Sequence, residues 1–316
     1  MWPLLLAAVL GLSPVPALAR MPAVDSVVAD GLYVDPDGQA ARYVRNLERS
    51  GRDDEAAIMR KIADQPAAIW FTDARAGFAD RARTVVARAN KAGKLPVLAL
   101  YFIPGRDCRG YSAGGARTAR AYRNWVSSIA GALRGRRALV ILEPDAAADS
   151  VGGCLNEKDT ATRLALLAYA VDTLRAHPGV AVYLDAGHPG WHSAARIAPA
   201  LRRAGATRAR GFSLNVANFQ TTDANLRYGV ELSRLLAGKH FVVDTSRNGN
   251  GPAPGQSWCN PPGRLLGQAP TLRTGQALTD GYLWIKRPGE SDGACGKGAP
   301  VAGQWYPAYA RSLTGS

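Results

Sequence analysis

Histidine is scarce in this chain, with 4 among 316 residues, and acidic residues number only 25 against 39 basic ones. The histidine shortage bears directly on metal chemistry. His188 and His192 lie four residues apart, but "HPGWH" puts Pro189 and Gly190 between them, which breaks the helical i, i+4 geometry a zinc hydrolase needs. No metal site is expected. Internal repeats, heptads and low-complexity tracts are also missing, which excludes solenoids and coiled coils. No Pro/Thr/Ser-rich linker follows the N-terminal segment, so residues 20–316 are expected to form one catalytic-size domain. Long apolar runs are absent too: "MWPLLLAAVLGLSPVPALA" is too short and too interrupted by proline to span a membrane. Its end at Ala17-Leu18-Ala19 has the small-x-small form of a cleavage site, so residues 1–19 are expected to be a signal peptide, with a retained anchor as the alternative because Lys and Arg are missing there.

The shortage of acid leaves a formal net charge of +14. Nucleic acid and anionic surfaces are the obvious partners for such a balance. The basic residues are nevertheless scattered over helical stretches such as "DRARTVVARANKAGK", Asp80 to Lys94, with no single cluster, so they read as solvated helix faces. No nucleic-acid partner and no stable membrane partner are expected. Cysteines number four, Cys108, Cys154, Cys259 and Cys295, an even count compatible with three pairings and with an oxidising, secreted or periplasmic setting.

What is present in quantity is a recurring apolar run. The candidate strands are Ala67 to Phe71, Pro96 to Ile103, Ala138 to Leu142, Val180 to Ala186, Gly211 to Ala217, His240 to Thr245 and Tyr282 to Lys286. Amphipathic stretches separate most of them; "AYRNWVSSIAGAL" sets Tyr122, Trp125, Val126, Ile129 and Leu133 on one stripe. Strand and helix in alternation imply an α/β fold with a parallel sheet, closed as a barrel or open.

Polar, chemistry-bearing residues follow the C-terminal end of each run: Asp73, then Arg106 and Asp107, then Glu143 and Asp145, then Asp185 and His188. Asn215 and Asn218, then Asp244 and Arg247, then Lys286, Glu290 and Asp292 complete the series. Barrels build their sites from these loops, although an open doubly wound sheet places its ligand there as well. The cysteines follow the second, third, sixth and seventh runs, so pairing of Cys108 with Cys154 and of Cys259 with Cys295 is expected to staple adjacent loops on one face.

Asp145 before "AAA" reads on its own as a helix N-cap. Its company suggests more: Asp107, Asp145 and Asp292 all fall on one face, and carboxyls sharing a partly dry cleft cannot all ionise, so one is driven to hold its proton. An acid beside an ionised carboxylate suits glycosidic cleavage. Trp70, Trp191 and Trp258 fall in or after strand ends, where flat rings can stack on sugar faces; Trp125, Trp284 and Trp305 read as core. A rival signal is "GYSAG", Gly110 to Gly114, which matches the nucleophile elbow of serine hydrolases with Ser112 as nucleophile and His188 or His240 as base. Against it, "PGRDCR" separates Ile103 from Gly110, so the serine does not follow directly on a strand.

The segments "YFIPGRDCRGYSAGGA", "VILEPDAAAD", "YLDAGHPGW", "NVANF", "DTSRNGNGP", "WCNPPGRLLG" and "LWIKRPGESDG", in this order, resemble glycoside hydrolase family 6, the inverting β-1,4-glucanases. The resemblance runs from "LYVDP" near Tyr33 to the C-terminus. It implies a distorted seven-stranded parallel β/α barrel, related to the TIM barrel, that needs no cofactor. It further implies that Asp145 is the general acid, that Asp107 raises the acid's pKa and helps relay a proton from the attacking water, and that Tyr101 crowds the sugar at the cleavage point. Ser112 matches a loop serine that positions water, and Asp292 the proposed base. Lys286, Glu290, Asp185, His188, Asn218 and Arg247 match polar sugar-binding positions, and Trp70, Trp191 and Trp258 match stacking platforms. The implied substrate is a β-1,4-glucan or cello-oligosaccharide, handled by a monomer without a separate carbohydrate-binding module. The short "ESDGAC" loop, Glu290 to Cys295, leaves little material to roof a cleft, so internal cutting is expected. The alternatives are a cellobiohydrolase of the same family, a serine esterase using Ser112, and a non-catalytic glucan-binding protein.

Overall fold

The computed structural model describes residues 31–316, so the expected signal segment lies outside the described residues. Two helices, α1 (Gln39–Arg49) and α2 (Asp53–Ala63), precede an alternating series. The strands are β1 (Ile69–Phe71), β2 (Val97–Leu100), β3 (Ala138–Leu142), β4 (Val180–Asp185), β5 (Gly211–Leu214), β6 (His240–Asp244) and β7 (Thr279–Leu283). Between and after them run α3 (Phe78–Lys91), α4 (Ala119–Leu133), α5 (Ala146–Gly152), α6 (Glu157–Arg175), α7 (Ala194–Arg203), α8 (Thr222–Leu235) and α9 (Pro307–Leu313). All seven strands are parallel and lie side by side in chain order.

The sheet curls until its two edges meet. They meet at one parallel bridge, Ala67 with Trp284, through the Ala68 amide on the Trp284 carbonyl at 2.8 Å. The Trp70 indole nitrogen adds a second tie across this seam, donating to the Ile285 carbonyl at 2.8 Å. The result is a distorted seven-stranded barrel without a full ladder between β7 and β1.

Alternation along the strands sorts the core into two layers. Val97, Ala99, Leu139, Ile141, Tyr183 and Val242 fill the inside. Leu98, Leu100, Val140, Leu142, Val182, Phe241 and Val243 face the helices, where they meet the Tyr122–Trp125–Ile129–Leu133 stripe of α4. Four helices start on side-chain caps of the usual kind, Thr118, Asn156, Ser193 and Thr221, each accepting an amide three residues on.

β2, β5 and β7 stop three residues short of the apolar runs at their C-terminal ends, for one shared reason. Buried carboxylates take over amides that a neighbouring strand would otherwise bond. Glu143 accepts from Phe102 and Ile103, which ends β2 at Leu100. Asp244 accepts from Ala217, Ile285 and Lys286, so β5 stops at Leu214 and β7 runs from Thr279 to Leu283 rather than from Tyr282 to Lys286. At the opposite end of the barrel, Asp280 gathers the Tyr183 hydroxyl, both forks of Arg210 and the His240 ring. Both expected disulfides form, Cys108–Cys154 and Cys259–Cys295, with Cα atoms 6.1 and 6.3 Å apart.

Candidate active site

A cleft of about 1020 Å³ opens at the C-terminal ends of the strands. Asp107, Asp145 and Asp292 all line it, as do Tyr101 and Ser112. The convergence rests on left-handed backbone at the strand ends: Glu143 and Asp145 have φ of 49° and 69°, and Asp107, Cys108 and Arg109 have 58°, 40° and 76°. Each such residue costs about 1–2 kcal/mol, which the surrounding bonds must offset.

Asp145 occupies the N-cap position of α5, yet its side chain makes no capping bond. The left-handed turn points the carboxyl away from the helix amides and leaves it on the cleft wall. Its own amide donates to Asp185 Oδ1 at 2.9 Å. Burial first, then the charges of Asp185, Asp149 and Asp107, push its pKa well above the ordinary carboxylate range. Asp185 is pushed to about 7 by burial, but its anion is supported by the Asp145 and Gly187 amides and the Ser213 hydroxyl. Of this coupled pair, Asp145 has the less supported anion, so the shared proton resides on Asp145.

Asp107 lies on the loop after β2. Burial raises its pKa, while the Ser112 amide, bonded to its carboxylate at 2.5 Å, and the Arg106 charge oppose the rise. Arg106 pins the loop by donating to the carbonyls of Thr72, Tyr101 and Ser112, with its guanidinium 4.9 Å from the Tyr101 ring centre. A Cβ at Gly110 would lie 2.6 Å from Asp107 Oδ2, so a side chain there displaces the carboxyl. Ser112 therefore belongs to an irregular loop built around a carboxylate. The nucleophile-elbow geometry is not realised, and His240 bonds Asp280 at the far end of the barrel.

Asp292 is held differently. Burial would raise its pKa, but Arg247 at 2.7 Å, Lys286 at 3.1 Å and the Asn260 amide outweigh it and keep the carboxylate below its usual value. Glu290, on the same loop, pairs with Arg287 at 2.8 Å and accepts a bond from Gln39. Trp70, Trp191 and Trp258 all line the cleft; Trp191 is 37% and Trp258 49% exposed. His188 and Asn218 line it as well. Burial and His192 lower the His188 pKa to about 4, so its ring is neutral.

Two expected sugar-binding residues lie elsewhere. Asp185 and Arg247 are 1% and 0% exposed and sit behind the cleft wall, because their polar atoms are taken up by neighbouring loops. Asp149 lines the cleft without having been singled out from sequence, although it follows Asp145 by one helical turn. Tyr111 is a second addition: it packs over Gly293, where a Cβ would overlap its side chain, and lies 6.0 Å from Trp258.

Residues 27–316 match the model of the glycosyl hydrolases family 6. The chain belongs to this family. Family 6 relatives include Endoglucanase 1 of Streptomyces halstedii, 43% identical over 91% of this chain and 89% of its own. A solved family 6 structure, the endoglucanase Cel6 from Mycobacterium tuberculosis in complex with methyl-cellobiosyl-4-deoxy-4-thio-β-D-cellobioside, is 45% identical. It superposes with a TM-score of 0.85 over 91% of this chain and 97% of that one. More distant is Exoglucanase 3 of Agaricus bisporus, 30% identical over 89% of this chain and 75% of its own. The chain is a cellulase-type glycoside hydrolase, and its seven-stranded barrel is the fold of its family 6 structural neighbours.

Proposed function

We propose that this chain is an endo-β-1,4-glucanase that hydrolyses internal bonds of cellulose or a related β-glucan with inversion of configuration. The observation that carries this reading is the placement of Asp145, on the wall of a polar cleft, uncapped, with its pKa raised first by burial and then by the charges of neighbouring carboxyls. From there it donates a proton to the leaving glycosidic oxygen. Asp107 helps to draw a proton from the attacking water, and Ser112 holds its loop in place through the amide bond. Asp292, fixed by two cations, stays ionised and is a weak base, so the water's proton leaves through a solvent chain. Tyr101 is buried beside Trp70, edge to face at 5.6 Å, and presses on the ring at the cleavage point. Trp191 and Trp258 serve as stacking platforms, and His188, Asn218, Lys286 and Glu290 as polar contacts.

Residues 20–316 act in this reading as one catalytic domain, and the enzyme works as a monomer outside the cytoplasm, which the two disulfides support. One observation favours the chain-end alternative, a cellobiohydrolase: Tyr111 crosses from the Asp107 loop to Gly293 and Trp258. It is a single side chain at 51% exposure rather than a covering loop, so internal cutting is preferred. The test follows the product anomer by NMR during hydrolysis of a cello-oligosaccharide by wild type and Asp145→Asn. An α-anomer as first product and a loss on the order of 10²–10⁴ in turnover for the variant are expected. A β-anomer, or an active variant, overturns the reading. With a soluble cellulose derivative, viscosity falls well ahead of reducing-end release for internal cutting, and in proportion to it for the exo mode.

A further inference from the structure

Asp149 lies one helical turn beyond the acid, and its amide donates to the Asp145 carbonyl at 2.8 Å, closing the first turn of α5. Its side chain lines the cleft at 9% exposure. A buried arginine, Arg163 of α6, stands beside it at 3.5 Å, but the shorter bonds of that guanidinium go to the carbonyls of Gly105, at 2.6 Å, and Pro104, at 3.3 Å. Arg163 is thus committed largely to the loop that leads to Asp107, and it neutralises Asp149 only in part.

We propose that Asp149 is a positioning residue for the reaction, setting a second negative charge against the wall on which Asp145 donates and coupling α5, through Arg163, to the loop that carries Asp107. The inference rests on the glucanase reading. Other charged and titratable groups face this corner from every side. Asp185 comes from β4, Tyr101, Arg106 and Asp107 from beyond β2, and Glu143 from the end of β3. His188 stands on the cleft wall, His192 touches the Ala148 carbonyl at 3.0 Å, and Arg196 of α7 touches the Val151 carbonyl at 3.2 Å. Asp149 is distinguished among them by its place on the same helix as the acid. Burial lifts its own pKa to about 6, with Arg163 opposing and Asp107 adding to the rise, so it is charged at neutral pH.

The test is the pH profile of kcat/KM on a cello-oligosaccharide for wild type, Asp149→Asn and Asp149→Glu. A neighbouring anion makes Asp145 harder to ionise, so removing it lets the acid lose its proton at lower pH. The alkaline limb of Asp149→Asn is expected to move down by about half a pH unit or more. Asp149→Glu, which keeps the charge, is expected to hold the limb near the wild-type position. An unmoved limb in Asp149→Asn, whatever the height of its profile, overturns the proposal, and so do equal shifts in both variants, which mark a purely structural role. Carbon-13 NMR titration of the Asp145 carboxyl in wild type and Asp149→Asn reads the same shift without turnover. A wild type that cleaves no β-1,4-glucan therefore defeats the glucanase reading, whereas an unshifted titration defeats this one.

Discussion

The tryptophans of the cleft divide by how far they stand out of it. Trp258 and Trp191 expose 49% and 37% of their surface; Trp191 also stacks on the buried His192, whereas Trp258 meets the exposed Tyr111. Covering such a ring face with a sugar is worth about 1.5 kcal/mol at roughly 25 cal/mol per Å². Trp258→Ala should therefore raise KM for a cello-oligosaccharide about tenfold, leave kcat within a few-fold and leave the melting temperature unmoved, which steady-state kinetics and a thermal melt check together. Much of this was readable from sequence, because an aromatic placed just past a strand end has few places to go but the barrel mouth. Asp107, Asp145 and Asp292 were found by the same logic and do line the cleft. Asp185 and Arg247 share that address but differ in direction. Residue type and order do not tell whether a polar side chain at a strand end points into the groove or under the next loop.

Loops and strand ends behave as units held by single acceptors. The segment from Asp107 to Gly115 folds around one carboxylate, so the absence of a side chain at Gly110 matters more than most side chains nearby. Gly110→Ala should displace the Asp107 carboxyl by several tenths of an ångström and lower kcat on the order of 10- to 100-fold, with the melting temperature little changed. Undiminished turnover would show that this loop tolerates a shift the geometry forbids. The seven strands and their parallel order followed from apolar runs separated by amphipathic helices. The C-terminal limits of β2, β5 and β7 did not; Ile285, for one, continues its run while its amide and that of Lys286 bond the Asp244 carboxylate. A side chain from another strand ends the ladder there, and no local pattern carries that information.

Across the whole barrel, carboxylates at the strand ends set a pH dependence of stability. Burial pushes Glu143 to about 7 against the pull of the Phe102 and Ile103 amides, and Asp244 is raised for the same reason. A carboxyl raised above its unfolded value of about 4.3 contributes stability that is complete below that pH and is lost as pH climbs through about 7. Asp292, held low by Arg247 and Lys286 despite its burial, has the opposite sign: its contribution is present above the unfolded value and lost as pH falls through the folded one. Melting temperature should thus peak near about pH 5 and decline toward pH 8, with a shallower alkaline decline in Glu143→Gln. A melting temperature that climbs steadily from pH 5 to 8 contradicts this assignment.

The seam has a consequence for how such a molecule ages. The Trp70 nitrogen fastens the last strand to the first while its ring lines the groove. On the glucanase reading, oxidation of that one indole removes one of the two ties across the seam and a stacking face of the groove in the same event, so weaker substrate adsorption and a looser closure arrive together.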